Sequence, residues 1–252
     1  MNLLFTVCGR GGSKGIKNKN SRNFLGKPLV YYTLSTIDLY VKRHPDLNYD
    51  VVLNTDSESL IALINEQTII SVDVIRRRAE LALDNTPKVP VILNCLEEME
   101  NQKQKRYDMV VDLDITSPLR TVEDLNNLIQ TKEKSTSEIV FSVTESRRNP
   151  YFNMVKKTDS GYERVIQSEF NARQEAPEIF DMNASLYAYE PGFLKSGKGI
   201  FDTQCDVIKM MDTGILDLDH VNDFELMEVI AQYLYDCKKE YGMVRDHIFN
   251  EY

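Results

Sequence analysis

The sequence predicts an α/β fold, doubly wound around a mostly parallel sheet, on three observations. Short apolar, β-branched runs recur at 3–8, 50–55, 72–76 and 109–114. Between them lie longer stretches with helical periodicity, at 28–41, 58–66, 89–103 and 122–132. The chain has 252 residues, 42% of them hydrophobic, which suffices to bury one large core. Strands alternating with helices argue for parallel pairing, because each helical crossover carries the chain back to the same edge of the sheet.

The elements follow in order. Met1 to Val7 lacks a basic leader and runs straight into Arg10 and a glycine cluster, so it reads as a first strand and not as a signal peptide. The next three apolar runs read as buried strands and the periodic stretches as the helices between them. Strand-like stretches resume at 138–143 and 185–189. Between these, 145–180 is polar and weakly periodic, and reads as a small β excursion or lid that leaves the main sheet. The stretch 223–241 carries Phe224, Met227, Val229, Ile230, Ala231, Leu234 and Tyr235, and reads as one long packed helix. The expected organisation is a single domain over 1–252 with 145–180 as a lid or dimerisation insertion.

Composition narrows the function. Cys8, Cys95, Cys205 and Cys237 are widely spread and form no CxxC pair. His44, His220 and His247 form no HExxH. A zinc site or disulfide framework is therefore not expected, and a reducing cytoplasm fits best. No apolar run approaches the roughly 18 residues a membrane span needs. The formal net charge of -9 argues against nonspecific binding to nucleic acid. Yet the first 37 residues hold Arg10, Lys14, Lys17, Lys19, Arg22 and Lys27, with no Asp or Glu. A cationic segment on an anionic protein points to a small anionic ligand; a solvated basic face is the plain alternative.

The first strand ends in Gly9-Arg10-Gly11-Gly12-Ser13-Lys14-Gly15. Glycines allow tight turns and close backbone approach to a ligand. Successive N–H groups in such a turn form an anion-binding concavity. With Arg10 and Lys14 adding charge, the loop suits a triphosphate. Two common phosphate motifs fail here: Lys14 is followed by Gly15 where GxxxxGK[ST] needs Ser or Thr, and the GxGxxG spacing is not met. Neither a P-loop ATPase nor a dinucleotide-binding dehydrogenase is supported.

The stretch from Gly9 to Ile16, then Lys19-Asn20 and Leu25-Gly26-Lys27-Pro28-Leu29, resembles the signature of acylneuraminate cytidylyltransferases. Four later blocks line up in order. Arg76-Arg77-Arg78-Ala79-Glu80-Leu81-Ala82 with Asp84-Asn85-Thr86-Pro87 resembles RRPAELA…D.TP, with Arg78 in place of proline. Leu113-Asp114-Ile115-Thr116-Ser117-Pro118-Leu119-Arg120-Thr121 resembles LQPTSPLRT, with Asp114 and Ile115 in place of Gln-Pro. Arg173-Gln174 and Asn183-Ala184-Ser185-Leu186-Tyr187 resemble RQ…NGAIY, with Ala184 for Gly and Ser185 for Ala. Leu216-Asp217-Leu218-Asp219 with Asp223-Phe224 resembles IDID…DF.

The resemblance implies a Rossmann-like nucleotidyltransferase and a homodimer. It implies transfer of CMP from CTP to a nine-carbon acidic sugar, sialic or legionaminic in kind. Gly9, Arg10, Gly11, Gly12, Ser13 and Lys14 would bind the nucleotide, with Asn20 and Arg77 near the cytidine. Asp217 and Asp219, two residues apart in an apolar run, would share one face of a strand. Such a pair beside a triphosphate suits Mg²⁺ (or Mn²⁺), and the resemblance makes it the metal-binding pair. Arg10, Lys14, Asp217 and Asp219 form the expected catalytic set. Asp114, Thr116, Ser117, Arg173 and Asn183 would face the acceptor, with Arg173 near its carboxylate. Replacing Gln by Asp114 removes a donor and adds negative charge, which points away from N-acetylneuraminate and toward a sugar such as legionaminate. Asp114 as a third metal ligand, or as base for the sugar hydroxyl, stays open.

The expected reaction is an in-line displacement at the α-phosphorus by the anomeric hydroxyl, resting on positioning and charge stabilisation. The alternatives are a nucleotidyltransferase for a Kdo-like sugar acid and a non-catalytic nucleotide-binding homologue.

Overall fold

The computed structural model describes residues 1–12, 16, 18–213 and 221–250. The chain opens with β1 (Asn2–Cys8), a small antiparallel hairpin of β2 (Asn23–Phe24) and β3 (Lys27–Pro28), α1 (Leu29–Arg43) and β4 (Asn48–Thr55). It continues with α2 (Glu58–Glu66), β5 (Asp73–Arg76), α3 (Lys88–Lys103), β6 (Met109–Leu113), α4 (Val122–Lys134) and β7 (Ile139–Glu145). Next come β8 (Val155–Thr158), β9 (Gly161–Arg164), β10 (Phe180–Tyr189), α5 (Pro191–Ser196) and β11 (Cys205–Lys209). The helices α6 (Val221–Cys237) and α7 (Lys239–Asn250) follow.

Among the described residues the main sheet has seven strands in the order β11-β7-β10-β6-β1-β4-β5. β1 lies parallel between β4 and β6, with Phe5 opposite Val51 on one side and Val111 on the other. β4 and β5 are parallel, as are β7 and β11. The central strands are buried on both faces, which is why they read as continuous apolar runs. Their alternation sorts residues between two layers. Leu3, Phe5 and Val7 join a cluster with residues of α1, α2, α4, α6 and α7; Leu4 joins another with residues of α3 and α5. The fold is thus doubly wound and mostly parallel.

Two expectations need correction in detail. β10 runs antiparallel between β6 and β7 and is ten residues long, twice the run legible in the sequence. Its first half is polar and carries an irregularity between Met182 and Tyr187, with Ala184 at φ 49°. The expected single helix over 223–241 is two helices, α6 and α7, parted at Lys238. The Gly242 amide donates to the Lys238 carbonyl at 2.9 Å, and a Cβ on Gly242 would lie 2.7 Å from the Tyr235 carbonyl oxygen. α7 turns so tightly onto α6 that only a glycine fits.

The segment between β7 and β10 leaves the sheet and holds the β8–β9 hairpin. Val155 is 64% and Tyr162 74% exposed on it. After β6 the chain turns and enters α4 through a capping box. Thr121 Oγ1 accepts from the Asp124 amide at 3.1 Å, while Asp124 Oδ2 accepts from the Thr121 amide at 2.8 Å. Such a cap is worth about 1 kcal/mol and fixes the exit of the turn that carries the site residues.

Candidate active site

The carboxyl ends of β1, β4 and β6 meet at one edge of the sheet, where open α/β folds place ligands. Gly9 follows β1 and donates to the Asn54 carbonyl at 3.1 Å. A Cβ there would lie 2.8 Å from Ile115 Cδ1, 2.9 Å from Leu60 Cδ1 and 3.2 Å from Asn20 Nδ2. Gly9 therefore brings the loop after β1 directly against the turn after β6. Asn20, buried in a 3-10 turn at Lys19–Ser21, donates Nδ2 to the Arg10 carbonyl at 3.0 Å. It braces the loop from below.

Two donors of the loop bind oxyanions of the protein itself. The Gly11 amide donates to Asp56 Oδ1 at 2.8 Å, and Arg10 pairs with Asp84. Carboxylate oxygen and phosphate oxygen ask the same of an N–H group, so these donors are chemically able to bind an anion. A Cβ on Gly12 would meet nothing within 4 Å. Ser13 and Lys14 lie outside the described residues, as do Asp217 and Asp219. Flanking that last pair, Asp212 is ion-paired with Arg147, and Phe224 packs on Phe24 at 5.7 Å beneath the Arg22 guanidinium.

Arg77 follows β5. Its Nε donates to Asn54 Oδ1 at 2.8 Å and its Nη2 to the Asn54 carbonyl at 2.9 Å. Asn54 in turn donates to Asn94 Oδ1 on α3 at 3.2 Å. Arg76 and Arg78 pair with Glu58 and Glu98 at the surface, as ordinary solvated ion pairs.

The turn after β6 is built around two cations, the half-buried Lys88 and the buried Arg120. Asp114 Oδ1 accepts from the Thr116 amide at 2.9 Å and from its hydroxyl at 2.7 Å. Asp114 Oδ2 accepts from Lys88 Nζ at 2.8 Å. The same ammonium lies 2.6 Å from Asp112 Oδ2, whose other oxygen accepts from the Thr6 hydroxyl at 2.8 Å. Arg120, with no exposed surface, donates Nε to the Ser117 carbonyl at 2.9 Å and Nη2 to the carbonyls of Ser117 and Asp114.

Burial raises the Asp114 carboxyl, but the Lys88 charge and the Thr116 bonds outweigh it and bring it down to about 2. Burial works against the Lys88 ammonium as well, and Asp112 and Asp114 more than compensate, holding it well above its ordinary value. Burial lowers Arg120 to about 10 against the pull of Asp114 and Asp112. Asp114 thus stays ionised throughout the physiological range. A carboxylate this acidic is a poor general base near neutrality.

Asn183 is buried in β10, where its Oδ1 accepts from the Ser142 hydroxyl at 2.6 Å and its Nδ2 faces Met210 Sδ at 3.3 Å. It holds strands together. Arg173 stands apart on the insertion, donating to the Ser146 carbonyl. It lines a cleft of about 290 Å³ with Glu145, Arg148, Gln174 and Glu178.

Sequence reading joined Gly9, Arg10, Gly11, Asn20, Arg77, Asp114 and Thr116 in one site, and these share one edge of the sheet. It missed Asn54, Asp56, Lys88 and Asp112. Asp112 and Asp114 are two apart on one strand face, the pattern recognised at Asp217 and Asp219. Lys88 opens α3, where the helix dipole disfavours a cation, so its placement there signals a partner.

A Campylobacter coli protein named post-translational flagellin modification protein B is 30% identical over 232 residues, spanning 91% of this chain and 95% of its own. The CMP-N,N'-diacetyllegionaminic acid synthase of Campylobacter jejuni is 29% identical over 229 residues, 90% of this chain and 94% of its own. A solved CMP:2-keto-3-deoxy-manno-octonic acid synthetase complexed with CTP superposes with a TM-score of 0.66 at 15% identity, over 93% of this chain and all of that one. At that identity the likeness concerns the fold alone. A family model described as cytidylyltransferase matches residues 5–237, from β1 to the end of α6. A match over nearly the whole sheet and its flanking helices identifies an enzyme, and the chain belongs to the cytidylyltransferase family.

Proposed function

We propose that the chain transfers CMP from CTP to a nine-carbon 2-keto sugar acid of the sialic or legionaminic kind and releases pyrophosphate. The observation that carries this reading is the contact of Gly9 with Ile115, which sets the phosphate-binding loop against the Asp114–Ser117 turn at one sheet edge. Relatives similar over nine-tenths of the chain are named for CMP-sugar synthesis or flagellin modification, which supports an acidic sugar as acceptor.

In this reading the loop N–H groups, Arg10 and Lys14 grip the triphosphate, and Arg77 and Asn20 shape the cytidine side. The anomeric hydroxyl attacks the α-phosphorus, an oxygen–phosphorus bond forms, and the bond to the pyrophosphate oxygen breaks. Positioning and charge neutralisation carry the rate. Asp217 and Asp219 would hold Mg²⁺ (or Mn²⁺); two carboxylates with phosphate oxygens suit that ion, which supplies charge neutralisation at the phosphates. Their fit rests on donor chemistry and spacing, since both lie outside the described residues. Arg173 and its cleft would receive the acceptor's carboxylate.

The reading includes a homodimer formed through 145–180, supported by the exposed Val155 and Tyr162 of the hairpin. It places the enzyme in the cytoplasm, supported by four free cysteines. Among the described residues no helix is long and apolar enough to cross a membrane.

The test is one assay. The protein, Mg²⁺ and each of CTP, ATP, GTP and UTP are incubated with N,N'-diacetyllegionaminic acid, N-acetylneuraminic acid and 2-keto-3-deoxy-octonic acid, and products are identified by mass. A CMP-nonulosonate from CTP is expected. Product only with the eight-carbon acid, or nucleotide bound without turnover, defeats the reading.

A further inference from the structure

We propose that Lys88 is a positioning residue for the acceptor, one that neutralises the carboxyl end of β6 so that an anionic sugar can approach Asp114. The proposal rests on the function proposed above and goes on to its acceptor side.

Two carboxylates, Asp112 near the end of β6 and Asp114 just beyond it, converge on the Lys88 ammonium at the strand end beside the loop after β1. Alone they would present two negative charges to an incoming carboxylate and to the phosphates of CTP. One ammonium is ion-paired with both, at 2.6 and 2.8 Å. The buried Arg120 guanidinium, bonded to the Asp114 carbonyl, supplies the second positive charge. The four groups sum to zero.

Hydrogen-bond counting shows what the pair presents. Asp114 Oδ1 is filled by the two Thr116 donors, and Oδ2 accepts once, from Lys88, leaving it one lone pair. Lys88 has three N–H donors; it hydrogen-bonds Asp114 and is ion-paired with Asp112 at 2.6 Å, which leaves a donor to spare, with the Tyr187 ring centre 5.6 Å away. One acceptor and one donor, 2.8 Å apart, match a sugar hydroxyl, which donates once and accepts through its lone pairs. The pair therefore offers a neutral grip on a hydroxyl while Thr116 locks the carboxylate's orientation. Lys88 itself acts through Asp114, by fixing its charge and its free lone pair.

The test compares Lys88→Met, Lys88→Arg and Lys88→Met/Asp114→Asn with the unaltered protein, using CTP and N,N'-diacetyllegionaminic acid, or N-acetylneuraminic acid if that is the better substrate. Lys88→Met is expected to raise the sugar-acid KM about tenfold and leave the CTP KM within about twofold, the size of effect that loss of one charge-assisted contact produces. Lys88→Arg should keep most of the sugar affinity. The double variant restores a neutral donor and acceptor as an amide, and should recover the sugar KM to within about threefold. Melting temperatures are read alongside. If Lys88→Met does not fold, the double variant and Lys88→Arg still decide. An unchanged sugar KM in a folded Lys88→Met overturns the proposal, as does an equal rise for both substrates or a double variant as poor as the single one. If the unaltered protein turns over neither sugar acid, the function proposed above fails; if it does, only the role of Lys88 is at stake.

Discussion

The Asn54 main-chain carbonyl accepts from both the Gly9 amide, at 3.1 Å, and Arg77 Nη2, at 2.9 Å. The end of β4 thereby couples the glycine loop after β1 to the arginine after β5. Removing the guanidinium leaves the Asn54 side-chain oxygen and a shared carbonyl under-bonded. Arg77→Ala should raise the CTP KM about tenfold or more and lower stability by about 1–3 kcal/mol. Steady-state kinetics with thermal scans check this. An unchanged CTP KM would place Arg77 among the scaffold residues only.

Gly9→Ala should damage the loop by overpacking. The new Cβ would lie within 3 Å of two side-chain termini, Ile115 Cδ1 and Leu60 Cδ1. Both are ends of flexible chains, so the cost is expected near 1–3 kcal/mol, with a fall in melting temperature of a few degrees. Ile115→Val removes the closer atom. The double variant should therefore regain part of the stability lost in Gly9→Ala. If it melts no higher than the single variant, the clash lies elsewhere.

Ala184 sits at φ 49° in the irregular part of β10. A left-handed conformation costs a non-glycine residue roughly 1–2 kcal/mol, against roughly 0.5–1 kcal/mol of extra chain entropy for glycine. Ala184→Gly should be neutral to stabilising by up to about 1 kcal/mol, and Ala184→Val clearly destabilising. Denaturant unfolding checks the order. A stabler valine variant would contradict the assigned backbone geometry.

Much of this was legible in the sequence. The glycine loop, the β6 turn and the alternation of layers follow from local patterns: apolar runs buried on both faces, a strand ending in glycines, and Pro118 with hydroxyl residues in the turn after β6. What escaped reading was tertiary. Lys88 and Asp114 are 26 residues apart, and only the packing of α3 against β1 and β4, with β6 beside β1, brings them together. The polar first half of β10 pairs with β7 through register, not through its own propensity. The break at Lys238 came from the fit of α7 against Tyr235, with no helix breaker closer than Gly242.

Asp114 gives the folded protein an acid limb. Its carboxyl lies near 2 when folded against an ordinary 3.8, so the folded state binds protons less readily. The associated stability is therefore complete above the ordinary value and drains away as pH falls toward 2. The shift corresponds to about 2 kcal/mol. Unfolding free energies for the protein and Asp114→Asn should differ most near neutrality and converge by about pH 2. Parallel curves through that range would show that the Lys88 pair contributes nothing net.

The metal pair is the sharpest remaining test, because it separates a nucleotidyltransferase from a nucleotide-binding homologue. Two carboxylates at i and i+2 share one face in an extended segment, and the proposed function calls for a divalent ion beside the phosphates. Asp217→Asn and Asp219→Asn should each lower turnover about 100-fold or more, the scale seen when a preorganised charge is removed from a transition state. Chelation should abolish activity, and Mg²⁺ or Mn²⁺ should restore it. Calorimetric titration of CTP with and without Mg²⁺ supplies a readout independent of turnover: the metal-dependent gain in affinity should shrink in both variants. Near-normal turnover with an unaltered Mg²⁺ requirement would remove the pair from the site, and the charge on the triphosphate would then rest on Arg10, Lys14 and the loop amides alone.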